Sequence, residues 1–210
     1  MTERELREQM AEHGKSLFER GLTAGSSGNL SVKLPDGMLV TPTNCCLGRL
    51  NPDEMSRLDS VGNLLSGKPA SKEAFLHRCY YDARDNESAV VHLHSTYSVA
   101  VSCLAEVDPD DVLPPITAYF VMRVGKLPLV PYYPPGDESL AEAVAATVRN
   151  NRGALLANHG PVIGGKSLDA AVNAIEELEE TAKLYLLLRN ESTRFLTTEQ
   201  VQELKQRFPS

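Results

Sequence analysis

Apolar positions in the first twenty residues recur at helical spacing. Leu6, Met10, Leu17 and Phe18 form one stripe of a helix predicted over 3–20, and Gly21 supplies a stop. The next segment, TAGSSGNLSVKLPDGMLVTPT, changes period. It reads as a loop, a strand near 29–34, a hairpin turn at Asp36-Gly37 and a strand near 38–41. Residues 61–67, VGNLLSG, suggest a second tight turn between short strands. Ser71 is predicted to cap a helix over about 72–84. AVVHLHS at 89–95 reads as a buried strand, followed by a helix over 96–104. The stretch 108–136 holds Pro114, Pro115, Pro128, Pro131, Pro134 and Pro135, and is predicted to be mostly loop with a short strand near 127–130. Asp137 caps a helix of about 138–150. ALLANHG at 154–160 is a strand running into a turn, and PVIGG returns from it. A long helix at 167–190 and a terminal one at 197–207 complete the pattern.

Strands joined by hairpins and interleaved with helices predict an α/β fold of three layers, α/β/α. Its centre is a mixed, largely antiparallel sheet with helices on both faces. No internal repeat, low-complexity tract or long linker divides the chain, so residues 1–210 are read as one domain.

Composition sharpens the functional side. Hydrophobic residues make up 42% and charged residues 23%, enough apolar material for a substantial core. The net charge of −7 argues against nucleic acid as a partner, because that needs a basic face. A small anionic substrate stays open, since a pocket can be locally positive in an acidic protein. No run approaches the roughly 20 apolar residues of a membrane span. The start, MTERELREQMAEHGK, has no apolar signal core, so no membrane association and a cytoplasmic location are expected. The four cysteines contain no C-x-x-C and read as unpaired thiols of a reducing compartment.

Four short segments carry candidate chemistry. His92-Leu93-His94 lies in an apolar strand, where side chains at i and i+2 share a face and can converge on one ion. A hydrogen-bonded pair at a strand end would look the same. Asn158-His159-Gly160 puts a third histidine at a strand-to-turn junction, beside a glycine with backbone freedom. In Ser71-Lys72-Glu73 the carboxylate sits near a helix start, which favours its charge. His77 lies four residues on, so it can pair with Glu73 or compete as a ligand. His13 reads as a surface or packed histidine. Three histidines with an open position describe a catalytic zinc site better than a structural one, and an adjacent carboxylate can ligate or move protons. Gly25-Ser26-Ser27-Gly28-Asn29 offers hydroxyls and exposed amides that can cradle an oxyanion. Thr41-Pro42-Thr43-Asn44 and Ser71 add further donors. Each of these is also an ordinary turn or cap.

In this order, S-G-N (27–29), T-P-T (41–43), S-K-E (71–73), H-L-H (92–94) and N-H-G (158–160) resemble the class II aldolase/adducin family, over about residues 5–190. The resemblance implies zinc on Glu73, His92, His94 and His159, with manganese or cobalt as other possible ions. Glu73 would leave the metal to transfer a proton. It also implies binding of a substrate phosphate by Ser27, Gly28, Asn29, Thr43, Asn44 and Ser71. Family enzymes are usually fourfold tetramers with active sites at subunit interfaces, and a homotetramer is expected. ASKEAFLHR, VVHLHSTYSVAVSCL and LPPITAYFVMRVGKLPLVPYYPPGD are similar to a decarboxylating branch. That branch takes CO2 from a phosphorylated four-carbon 3-oxo acid through an enediolate to give dihydroxyacetone phosphate. Lys72 stands where aldolases and epimerases of the family carry a small residue, and it could orient a substrate carboxylate. Tyr119 falls where the aldolases carry a proton-donor tyrosine from a neighbouring subunit, with Tyr132 and Tyr133 as competitors. A sugar-phosphate aldolase or pentulose-phosphate 4-epimerase is the nearest alternative, and an adducin-like interaction domain the non-enzymatic one.

Overall fold

A computed structural model describes residues 1–134 and 137–208. Eight strands form one sheet: β1 Asn29–Leu34, β2 Gly37–Val40, β3 Ser56–Asp59, β4 Leu64–Ser66, β5 Ala89–His92, β6 Leu129–Val130, β7 Gly153–Leu156 and β8 Gly160–Gly165. Their order across the sheet is β4-β3-β2-β1-β5-β8-β7-β6. Every pairing is antiparallel except β6 with β7. The helices are α1 Glu3–Glu19, α2 Ala74–Ala83, α3 Thr96–Ser102, α4 Ala118–Arg123, α5 Glu138–Val148, α6 Leu168–Leu188 and α7 Thr198–Arg207.

Alternation along the strands builds the three layers. Leu30, Val32, Leu39, Val91, Leu155 and Ile163 point to one face, where they pack with Met10 and Leu17 of α1, Phe120 of α4, and Ile175 and Leu178 of α6. Their neighbours Met38, Val40, Val90, Ala154, Leu156 and Val162 point to the other, against Leu76 and Tyr80 of α2 and Leu140 and Val144 of α5. Successive strand residues alternate between faces, so each central strand is buried on both sides. Among the described residues no helix is long and apolar enough to cross a membrane.

The predicted elements form, with four differences. Helix α2 begins at Ala74, two residues later than expected: Glu73 occupies the capping position, and Ser71 Oγ accepts the Glu73 N–H at 3.3 Å without capping the helix. Strand β5 stops at His92: Leu93 N–H still donates to the Pro161 carbonyl at 3.3 Å, but Pro161 has no N–H with which to extend the ladder. The Pro-rich segment contains α4, capped by the Thr117 hydroxyl on Phe120 N–H, where only loop was expected. Within that segment, positions 135–136 of the predicted loop lie outside the described residues. The predicted strand near 127–130 is reduced to Leu129–Val130.

Candidate metal centre

Three central strands end at the same edge of the sheet. In register, Asn29 at the start of β1 faces His92 at the end of β5, and His92 faces Val162 of β8. The turn from β7 to β8 carries His159, and the capping position of α2 carries Glu73. The sheet therefore delivers side chains from four distant parts of the chain to one point.

His92 is fully buried, and its Nδ1 lies 2.8 Å from the Pro161 carbonyl oxygen. A carbonyl only accepts, so Nδ1 carries the hydrogen and the Nε2 lone pair faces the centre. His92 Nε2 is 3.1 Å from His94 Nε2 and 3.3 Å from His159 Nε2, and the latter two are 3.0 Å apart. Glu73 completes the group, with Oε2 3.5 Å from His92 Nε2 and Oε1 3.2 Å from His159 Nε2. The rings meet edge to face, at 72–89° to one another. Ligand atoms of a tetrahedral zinc site, each ~2.0–2.1 Å from the ion, stand about 3.3 Å apart. The observed spacing and the convergence of three Nε2 atoms and a carboxylate fit a divalent metal ion.

The local structure explains the convergence. His94 lies beyond β5, yet it is held, because the helix that follows is clamped. Buried Glu179 of α6 accepts the Tyr97 N–H at 2.9 Å and the Ser98 N–H and hydroxyl at 2.8 and 2.6 Å. At the other end of α3, the Ser102 carbonyl accepts the Asn158 N–H at 3.1 Å. Asn158 has φ of 55°, a left-handed conformation that asparagine tolerates better than most residues, and this turns His159 toward the centre. Gly160 must be glycine, since a Cβ there would overlap the Leu93 carbonyl oxygen. His77 is no ligand: it is buried behind the centre with its ring nitrogens on Ser31 and Asn29. His13 pairs with Asp169 far along the chain, at 2.7 Å.

The electrostatics suit the same donor set. Burial opposes ionisation of Glu73, but His92, His159 and the Asn29 amide outweigh it and hold its carboxyl well below the usual range. Burial, helped by the neighbouring imidazoles, lowers His94 to about 4. Near neutral pH Glu73 is thus a carboxylate and His92 and His94 are neutral imidazoles, the protonation states a cation needs.

A cleft of about 310 Å³ opens on one side of the centre. Ser27, Gly28, Asn29, Thr43, Asn44 and Ser71 all line it, together with Lys72, Glu73 and His94. The 41–44 segment is docked there by the Ser71 N–H on the Thr41 carbonyl and the Thr43 N–H on the Pro69 carbonyl. Gly28 has φ of 81° and packs on the His92 carbonyl, which ties the loop to the metal-facing strand. A second cleft, about 580 Å³, lies on the other side and is lined by His94, Thr96, Val99, Tyr132, Tyr133, Asn158 and His159. Tyr119 lines neither cleft. It is exposed on α4, with the Arg123 guanidinium 5.2 Å from its ring centre.

Sequence reasoning did not find the part played by Asn29, whose amide nitrogen donates to Glu73 Oε2 at 2.7 Å, or the clamp made by Glu179. For Glu179 the only sequence signal was an acid on the apolar stripe of a long helix.

Residues 8–186 match the family described as Class II Aldolase and Adducin N-terminal domain. The chain belongs to that family. Among its class II aldolase relatives it is 49% identical, over 204 residues, to the 3-oxo-tetronate 4-phosphate decarboxylase of Escherichia coli strain K12, covering 97% of this chain and 96% of the relative. It is 38% identical over 173 residues to the L-fuculose phosphate aldolase of Methanocaldococcus jannaschii, covering 82% and 91%. The crystal structure of YgbL from Escherichia coli superposes with a TM-score of 0.94 at 48% identity, covering 97% of this chain and 99% of that one. The mixed, helix-covered sheet is thus the class II aldolase fold.

Proposed function

We propose that this chain is a metal-dependent decarboxylase that converts a 3-oxo-tetronate 4-phosphate to dihydroxyacetone phosphate and CO2. The observation that carries the reading is likeness along almost the whole chain, at 47–49% identity, to proteins named 3-oxo-tetronate 4-phosphate decarboxylase. The converging Glu73, His92, His94 and His159 support it.

In this reading those four residues hold the ion, which is zinc; manganese and cobalt suit the same nitrogen and oxygen donors less selectively. The bound ion supplies a Lewis acid toward the 3-oxo group and the neighbouring hydroxyl. Ser27, Gly28, Asn29, Thr43, Asn44 and Ser71 grip the phosphate through hydroxyls and amides, and this fixes the four-carbon chain across the centre. Lys72, exposed at the rim of the same cleft, faces the substrate carboxylate and orients it. When the C1–C2 bond breaks, CO2 leaves and its electron pair is held as an enediolate over C2, C3 and the 3-oxygen. Glu73, ionised at rest, takes the C2 hydroxyl proton and delivers it to C2, and a solvent proton restores the hydroxyl. The second cleft gives CO2 a way out past Tyr132 and Tyr133.

The remaining assignments complete the reading. Residues 1–210 act as one domain in the cytoplasm, and four copies form a homotetramer. Tyr119, which lines neither cleft of its own chain, is the alternative to Glu73 as donor of the C2 proton and would act in a neighbouring subunit's site. The relevant alternative is a sugar-phosphate aldolase or 4-epimerase, favoured by the likeness to L-fuculose phosphate aldolase. An adducin-like interaction domain has no need of a complete ligand set. The zinc-loaded protein should be assayed for CO2 release from phosphorylated 3-oxo-tetronates of both configurations and for aldehyde release from ketose 1-phosphates. CO2 from one tetronate, with no aldehyde, is expected. Aldehyde release alone would overturn the decarboxylase reading.

A further inference from the structure

His77 is fully buried and takes no part in the centre, although it follows Glu73 by one helical turn. Its hydrogen bonds have a definite direction. Asn29 Nδ2 donates to Glu73 Oε2 at 2.7 Å, so the amide nitrogen of Asn29 faces Glu73 and its oxygen faces His77. Asn29 Oδ1 lies 2.5 Å from His77 Nε2, and an amide oxygen only accepts, so Nε2 carries the hydrogen. His77 Nδ1 is then a lone pair and accepts from the Ser31 hydroxyl at 2.6 Å. Having given its one hydrogen, Ser31 Oγ accepts from the Tyr81 hydroxyl at 2.7 Å. The chain of donors runs one way, from Tyr81 through Ser31, His77 and Asn29 to Glu73. The tautomer is the reverse of the one His92 adopts.

We propose that His77 is a positioning residue for the centre, which locks the Asn29 amide with its NH2 group toward Glu73 and so keeps the carboxylate facing His92 and His159. The inference rests on the reading of Glu73 as ligand and proton carrier. Without the Nε2 hydrogen, the buried Asn29 oxygen has no donor and the amide is free to flip. A flipped amide sets oxygen against carboxylate, two acceptors at hydrogen-bond distance, and pushes Glu73 off its position. Residues that hold a ligand in this way typically change metal affinity or activity by about 10- to 100-fold when removed.

Two measurements test this. The first is the tautomer of His77 in the full-length protein, zinc-loaded and zinc-free, read from long-range proton–nitrogen NMR with 13C,15N labelling and assigned by through-bond connection of the ring to its own backbone. The Nε2–H form is expected for His77 and the Nδ1–H form for His92. An Nδ1–H form of His77 would overturn the proposal whether or not any variant folds. The second is zinc affinity, by competition with a chromophoric chelator, beside kcat, KM and Tm. His77→Phe should weaken zinc binding and lower kcat by about 10- to 100-fold with KM little moved. His77→Gln keeps a donor for Asn29 and should recover most of both, and Tyr81→Phe should stay within a few-fold of the parent. A His77→Phe protein that binds zinc as tightly as the parent would contradict the proposal. So would Gln and Phe variants equally impaired in zinc binding and Tm, which marks a purely structural role. If these zinc shifts appear in a protein that releases no CO2, the positioning role stands and the decarboxylase reading fails.

Discussion

The two sides of the centre are built differently. The inner side consists of His92, Asn29 and Glu73, on strands and a helix, with every polar atom of His92 and Asn29 directed at a named partner. The outer side consists of Lys72, Tyr132 and the exposed Tyr119, on a rim, a loop and a short helix. The inner side is complete in one chain. The outer side becomes defined only when substrate, and in our reading a second subunit, arrive. Ligand geometry is thus set by folding, whereas substrate choice is left to residues that packing does not hold.

Substitutions on the two sides should therefore differ in size, and the largest effects belong to the inner side. His159→Ala removes a donor that nothing replaces. Its zinc affinity should drop by more than the roughly 100-fold typical of losing a supporting residue, and activity should vanish with it; an unchanged affinity by chelator competition would remove His159 from the ligand set. Glu73→Gln keeps the three imidazoles and much of the metal. Its kcat should fall by about 10²- to 10⁴-fold, the range for losing an acid–base group, with zinc content measured on the same sample. Full turnover with normal zinc would end its catalytic role.

An intermediate effect is expected at the phosphate cleft. Ser71→Ala should raise KM about 10-fold for the phosphorylated acid, the order expected for one hydrogen bond to a charged group, and leave kcat close to the parent. The unphosphorylated acid should not distinguish the two proteins. Smallest are the rim changes: Lys72→Met should cost only a few-fold in kcat/KM, since an exposed charge pair contributes little. A Lys72 effect larger than that of Ser71→Ala would reverse the proposed division of labour.

Acid should also act on the inner side first. Burial holds His94 near 4 and His77 near 3, against about 6.5 for a free imidazole. Between these values the unfolded chain binds more protons than the folded one, so stability rises with pH. This contribution is complete above about pH 6.5 and is lost as pH falls through the folded values. Glu73, with its carboxyl lowered, adds a loss of the same sign below the range of a free carboxylate. The Tm of the zinc-free protein should fall steadily from pH 7 to 4, and a flat profile would show that these imidazoles are not buried neutral.

The same division explains what could be read from the sequence. The hairpin at Asp36-Gly37, the cap Asp137 and the order of five short motifs are local signals, and they led to the sheet and to all four candidate ligands. Local signals failed where tertiary contacts decide. His77 stands one turn after Glu73 and looks like its partner, but β1 lies alongside and takes both ring nitrogens. Ser71 looks like a cap, but its loop docks on Thr41 and the helix starts after Glu73. The helix α4 is six residues long between prolines, too short for a periodic signal.

The most direct test of the central claim uses 3-oxo-tetronate 4-phosphate labelled with 13C at C1, incubated with the zinc-loaded protein in D2O. The account predicts that the label leaves as 13CO2 in step with dihydroxyacetone phosphate carrying one deuterium at the former C2, that chelation stops the release, and that zinc restores it. Label retained in the acid by a protein with zinc bound at Glu73, His92, His94 and His159 would contradict it.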